Sequence, residues 1–203
     1  MKNKIQMLGK LKTLAPFFGA VLFMTSTFIV TSCKDEKKVD TEEVADDKNE
    51  EKFDGAKEDD SEHLVEAAAL NLTEIRLGEL AQSKAVSKEV KDFGKMMVED
   101  HNKTLGELKS LAGTKQITLP AALTEEGEEA HKKFADESAT DFDKKYVDKM
   151  VDAHQTAIEK FEKMATDAKD SDIKAFATKT LPALRTHLDH ALTLQKKLET
   201  TNK

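Results

Sequence analysis

Apolar residues recur with a helical period through four long segments of this chain, and that recurrence leaves few folds open. The first segment runs from about Ser61, a predicted N-cap, to Ala85, with Ala67, Leu70, Leu77 beside Gly78, and Ala81 on one face. The second starts after Ser87 and carries Val90, Phe93, Met97, Leu105, Leu108 and Leu111, with Gly113 as its predicted stop. The third, from about Asp141 to Ala168, carries Phe142, Tyr146, Met150, Ile158, Phe161 and Met164. The fourth, from about Ser171 to Leu198, carries Ile173, Phe176, Leu181, Leu184, Leu188, Ala191, Leu194 and Leu198. Pro182 falls inside it and predicts a kink. A short helix near Thr124–Ala135 follows Pro120 in the long connection between the second and third segments. No segment sustains strand alternation. Four amphipathic helices of about 25 residues bury their faces best against one another. The predicted class is all-α: an antiparallel four-helix bundle over 61–200, with one short extra helix in the long connection.

A weak internal repeat accompanies this pattern. Residues 90–101, ending Met97-Val-Glu-Asp100-His101, align with 143–154, ending Met150-Val-Asp-Ala-His154. The second and third long helices therefore read as copies of one helix, and shared periodicity alone accounts for part of the match.

Each stripe is interrupted once near its middle by an ionisable group. These are Glu74, His101, His154 and His187, one per long helix. Midpoints meet in the middle layer of a bundle whichever way its helices run, so one carboxylate and three imidazoles converge. A buried carboxylate costs several kcal/mol unless it is paired or coordinated. Two readings stay open. The four bind a single transition-metal ion (Zn, Fe or Cu), which imidazole and carboxylate suit. Alternatively they satisfy one another as a metal-free polar network. Asp100 and His190 stand near enough in sequence to orient the ligands from outside. Met97 and Met150 lie one turn from His101 and His154; thioether donors there lean toward copper, while core filling is their plainer role. Tyr146, the only tyrosine, reads as core with its hydroxyl at a polar edge.

The N-terminus has a different character. Lys2, Lys4, Lys10 and Lys12 precede an uncharged apolar run from about Leu14 to Val30, the pattern of a secretory signal peptide over 1–32. The run ends at Cys33, the only cysteine. Val30-Thr31-Ser32-Cys33 resembles the lipobox of bacterial lipoproteins, which implies lipid on Cys33 and stable attachment to a membrane. Lys34-Asp35-Glu36 resembles the lysine-plus-acid signal that sends some bacterial lipoproteins to the outer face of the outer membrane. Residues 33–60 are acidic and poor in large apolar side chains, so a disordered, solvated tether is predicted. The net charge of −7 argues against nucleic acid as a partner.

Glu74-Ile-Arg-Leu-Gly78-Glu-Leu-Ala81, Met97-Val-Glu-Asp100-His101, Phe142-Asp143, Tyr146, Met150-Val-Asp-Ala-His154 and Leu181-Pro182-Ala-Leu-Arg-Thr-His187 together resemble domain-of-unknown-function family 4142. The resemblance covers about residues 62–198. It implies a ferritin-like four-helix bundle in an exported or outer-membrane protein, and no established activity. Ferritin-like di-iron enzymes carry Glu-x-x-His on two core helices. The long helices here lack that pair, so a single ion with histidine-rich ligation fits better. There is no Ser/His/Asp pattern, no cysteine nucleophile, no phosphate-cradling loop and no dinucleotide fingerprint. The sequence thus assigns no catalytic residue and leaves the enzyme question open, leaning away from catalysis. Two functional classes remain: an envelope lipoprotein that binds a transition metal, or a metal-free structural or stress-related envelope lipoprotein that works through protein partners.

Overall fold

The computed structural model describes residues 40–201, and every regular element among them is an α-helix. The fold is all-α. The predicted signal peptide, Cys33 and the first residues of the acidic segment lie outside the described residues. Among the described residues no helix is long and apolar enough to cross a membrane.

Six helices follow in order: α1 Thr41–Glu50, α2 Ala56–Lys84, α3 Lys88–Lys115, α4 Glu125–Asp136, α5 Ala139–Asp167 and α6 Ser171–Thr201. α2 lies along α3, and α5 along α6. Asn71 meets His101 and Gly78 meets Gly94 across the first pair; His154 meets His187 and Phe161 meets Phe176 across the second. Both pairs are therefore antiparallel hairpins. They touch one another along α2/α5 and α3/α6. Gly78 and Gly94 permit the closest approach: a Cβ on Gly94 would stand 2.9 Å from the Gly78 carbonyl oxygen and 2.7 Å from Ala81 Cβ.

The hairpins cap each other. Asp60 of α2 accepts from the Lys169 and Asp170 amides, both at 2.7 Å, in the turn between α5 and α6. Asp143 of α5 accepts from the Val86 and Ser87 amides, at 2.9 and 2.7 Å, in the turn between α2 and α3. Both aspartates are buried and occupy the same place in helices of 29 residues each. The structural repeat therefore pairs α2 with α5. The expected match between the second and third long helices does not follow this pairing.

Several expected boundaries move. Ser61 is no N-cap: it is buried inside α2 and donates to the Glu58 carbonyl at 2.8 Å. α2 begins earlier, after Gly55, whose φ of 54° suits glycine. α3 does not stop at Gly113. It runs to Lys115, and Gln116 takes the left-handed conformation with φ 61°. That turn lets the Ile117 amide reach the Ala112 carbonyl at 2.9 Å while Ile117 packs against the core, and the packing offsets the strain at Gln116. Ser87 and Thr124 do cap α3 and α4. α6 continues through Pro182.

The predicted tether is also corrected from residue 40 onward. Residues 41–50 form α1, which lies against α2. What holds it is polar pairing. Asn49, 1 % exposed, donates to the Thr118 carbonyl at 2.9 Å and accepts from the Thr118 amide at 2.8 Å. Thr41 donates to the Ala122 carbonyl at 3.1 Å, and Asp40 accepts from the Glu125 amide. The 116–124 connection belongs to no helix, so its backbone groups need outside partners, and α1 supplies them.

The apolar interior falls into two clusters. One gathers Leu64, Leu105, Leu108, Phe161, Leu181 and Leu184; the other gathers Leu77, Phe93, Met97, Phe142, Tyr146 and Met150. Between them lies a layer of polar side chains.

Candidate metal centre

The four long helices bring the four interrupting residues together. Glu74 is 3 % exposed, His101 5 %, His154 0 % and His187 2 %. Glu74 Oε2 stands 3.1 Å from His101 Nε2 and 3.4 Å from His154 Nε2. His154 Nε2 stands 3.3 Å from His187 Nδ1. One ring nitrogen of each histidine lies within 4.8 Å of the other two. The close Gly78–Gly94 contact sits one turn along α2 from Glu74 and brings α3 near enough for His101 to reach it.

Each imidazole is held from outside by an acceptor. His101 Nδ1 donates to Asn71 Oδ1 at 3.0 Å. The Asn71 amide is oriented unambiguously, because its Nδ2 donates to the Ala67 carbonyl at 2.7 Å. His154 Nδ1 donates to the Met150 carbonyl at 2.8 Å. His187 Nε2 donates to Asp100 Oδ2 at 2.9 Å. In the neutral form of each ring, with its outer nitrogen protonated, the inner one carries a lone pair. Three lone pairs and a carboxylate oxygen then face one another with no donor among them. Glu74 Oε2 and His101 Nε2, 3.1 Å apart, are both buried without a hydrogen-bond partner, and they attract one another only when a proton or a cation stands between them.

Such a cluster of acceptors calls for a cation. Burial pushes the Glu74 carboxyl up, but positive charge on the rings of His154, His101 and His187 outweighs it and holds the group well below the usual carboxylate range, at about 2; a proton or a bound cation would supply that charge. Burial lowers His187 to about 4, against the opposing hydrogen bond that it donates to Asp100. Tetrahedral coordination by nitrogen and oxygen at about 2.0–2.2 Å places neighbouring donors roughly 3.3 Å apart. Three of the six edges, at 3.1, 3.4 and 3.3 Å, have about that length, and the ring nitrogens of the three histidines all lie within 4.8 Å of one another. His101, His154 and His187 are therefore placed where they could hold a metal ion, with Glu74 beside two of them.

The other expected participants divide. Asp100, on α3 with its side chain 48 % exposed, reaches the layer through His187. His190 does not join: it is exposed on α6, and no contact ties it to the layer. Met97 and Met150 are fully buried in the apolar cluster beside the layer, and Met150 serves His154 through its backbone carbonyl. Tyr146 stacks on Phe142 at 5.7 Å, and its buried hydroxyl has no hydrogen bond, where a polar edge was expected. Burial, and then the charge of Glu74, push that phenol above its ordinary range. Asn71 was not anticipated. Its signal is its place one turn before Glu74 on the inward face of α2.

Residues 45–194 match the family described as Domain of unknown function (DUF4142). No curated protein and no solved structure matches the chain.

Proposed function

We propose that this chain, which belongs to the DUF4142 family, is an envelope lipoprotein that binds one transition-metal ion in the middle of a ferritin-like four-helix bundle. The observation that carries the reading is the convergence of four buried groups, Glu74, His101, His154 and His187, which have no donor between them while the rings are neutral. Three imidazoles and one carboxylate suit Zn or Fe. The thioethers of Met97 and Met150 stay with the apolar cluster, which removes the reason to prefer Cu. Asn71, Asp100 and the Met150 carbonyl set the ring tautomers, the role outer partners play in metal sites. The bundle is supported by two antiparallel hairpins in contact along both seams, with α4 in the long connection. The anchor is supported by the charged start, the apolar run and Cys33 after Val30-Thr31-Ser32. No residue is assigned to catalysis.

The test uses the full chain, purified in detergent. Metal analysis is expected to give one ion per chain, and about none in a His101→Ala/His154→Ala variant. Equal metal content in the two proteins would sink the site. The layer would then hold a proton in place of a metal, in a structural lipoprotein acting through partners. In the same preparations, Cys33→Ala is expected to move the protein from the membrane to the soluble fraction; unchanged membrane association would overturn the lipid anchor.

A further inference from the structure

The polar layer has two unlike sides. Toward α3 and α6 it is bordered by the half-exposed Asp100, hydrogen-bonded to His187. Toward α2 and α5, Glu74 alone of the four borders a cleft of about 300 Å³. α4 borders this cleft and stands close to α2: a Cβ on Gly127 would come within 2.7 Å of Thr73 Oγ1. The cleft is lined by Glu42, Glu66, Glu126 and Asp152, with Lys149 and Lys160 among them. Lys160 is paired with Glu66 at 3.0 Å, so the remaining lining is negative on balance. Burial, and the nearby Asp46, Asp40 and Glu66, push the Glu42 carboxyl up, as a negative potential does. The cleft also reaches Glu74 itself, which is 3 % exposed and whose Oε2 has no hydrogen bond. One side chain thus belongs both to the cleft and to the layer.

We infer that this cleft is the passage by which a divalent cation reaches and leaves the layer, with Glu74 handing the ion from the acidic lining to the histidines. The inference deepens the metal-binding reading and rests on it. A cleft of one sign of charge with low-dielectric walls raises the local concentration of counter-ions and speeds their capture. Glu74 is placed to do this because its Oε2 already stands 3.1 and 3.4 Å from two of the three rings. Ligand exchange at the ion then takes place on the α2/α5 side, while the Asp100 side serves only to hold His187.

The test follows Co²⁺ uptake by its visible absorption, and removal by EDTA, in the full chain in detergent. Ala153→Phe fills the cleft from its α5 wall, and Thr156→Trp does so from an exposed position. Either plug is expected to slow uptake and removal on the order of ten-fold or more, with the same final occupancy. Glu126→Gln/Asp152→Asn changes two exposed residues and is expected to slow uptake a few-fold at low salt and to lose most of the salt dependence of the wild type. Folded plug variants with wild-type rates in both directions overturn the passage. If the wild type takes up no Co²⁺, the metal reading fails on its own, and diethyl pyrocarbonate still reads the passage. His154 is then expected to react in the wild type and to be protected in the plugged variants, with exposed His190 as the internal reference. Equal labelling of His154 with and without the plugs overturns the passage independently.

Discussion

Asn71 decides which nitrogen of His101 carries the proton, and through that choice what the buried layer offers a ligand. Its neighbours could be read from the sequence because Glu74, His101, His154 and His187 each interrupt an apolar stripe. Asn71 was missed because a neutral amide breaks a stripe less conspicuously than a charge does. His190 was drawn toward the layer by its place about one turn after His187, but its side chain is exposed on α6. The layer also predicts a pH response of the metal-free chain. His187 is lowered to about 4 from 6.5, chiefly by burial. Between these values the unfolded chain binds the extra proton, so its share of the stability is complete above pH 6.5 and falls as pH drops toward 4. The loss is roughly 3 kcal/mol. Glu74 acts lower: its depressed value makes its share complete above about 4.5 and lost as pH falls toward about 2. Urea unfolding in EDTA from pH 7 to pH 4 checks this. His187→Gln is expected to flatten the curve over that window, and an unchanged slope would remove His187 as the source.

α1 shows how composition can mislead about a helix. Residues 41–50 contain almost nothing to bury, and burial was the criterion that made them a tether. Their order comes from hydrogen bonds between Asn49, Thr41 and Asp40 and a connection that lies seventy or more positions away in the chain for most of them, where no local pattern points. The docking is not free of conflict. Burial, followed by the charges of Glu62, Glu50, Glu66 and Asp47, raises the Asp46 carboxyl from 3.8 to about 6. A raised carboxyl means that the docked helix binds the proton more tightly than the free one. Docking is therefore favoured at acid pH and weakens as pH rises through about 6. Hydrogen exchange of the α1 amides, corrected for the intrinsic rate, is expected to show greater protection at pH 5 than at pH 7. Asp46→Asn is expected to remove the difference, and equal protection at both values in the wild type would refute it.

The two hairpins are joined by apolar faces and by two aspartates, each of which closes the turn of the opposite hairpin. Hydrogen bonds to a charged acceptor contribute about 1.5–3 kcal/mol each. Asp143→Ala releases two amides at once and is expected to cost about 3 kcal/mol in urea unfolding. Asp60→Ala should cost a similar amount, and the two losses should add, because the sites share no partner. A loss under about 0.5 kcal/mol for either would show that the apolar faces alone set how the hairpins meet. These aspartates look like ordinary solvated helix residues in the sequence. Only their identical positions in α2 and α5 mark them as equivalents, and that symmetry was obscured by the better local match between the second and third long helices.

Local periodicity was enough to establish that the described chain is helical, where its long helices lie, and which four ionisable side chains face inward. It could do so because the face a residue occupies on a helix depends on spacing alone. The ends of the helices, the order of 40–60 and the choice of outer partners were beyond its reach. Most of these depend on contacts between residues far apart in the chain, as Asn49 with Thr118, Asp60 with Lys169 and Asp100 with His187 are. So does the charge state of the layer, since Glu74 and His187 acquire their shifted affinities for protons only when folding removes water from around them.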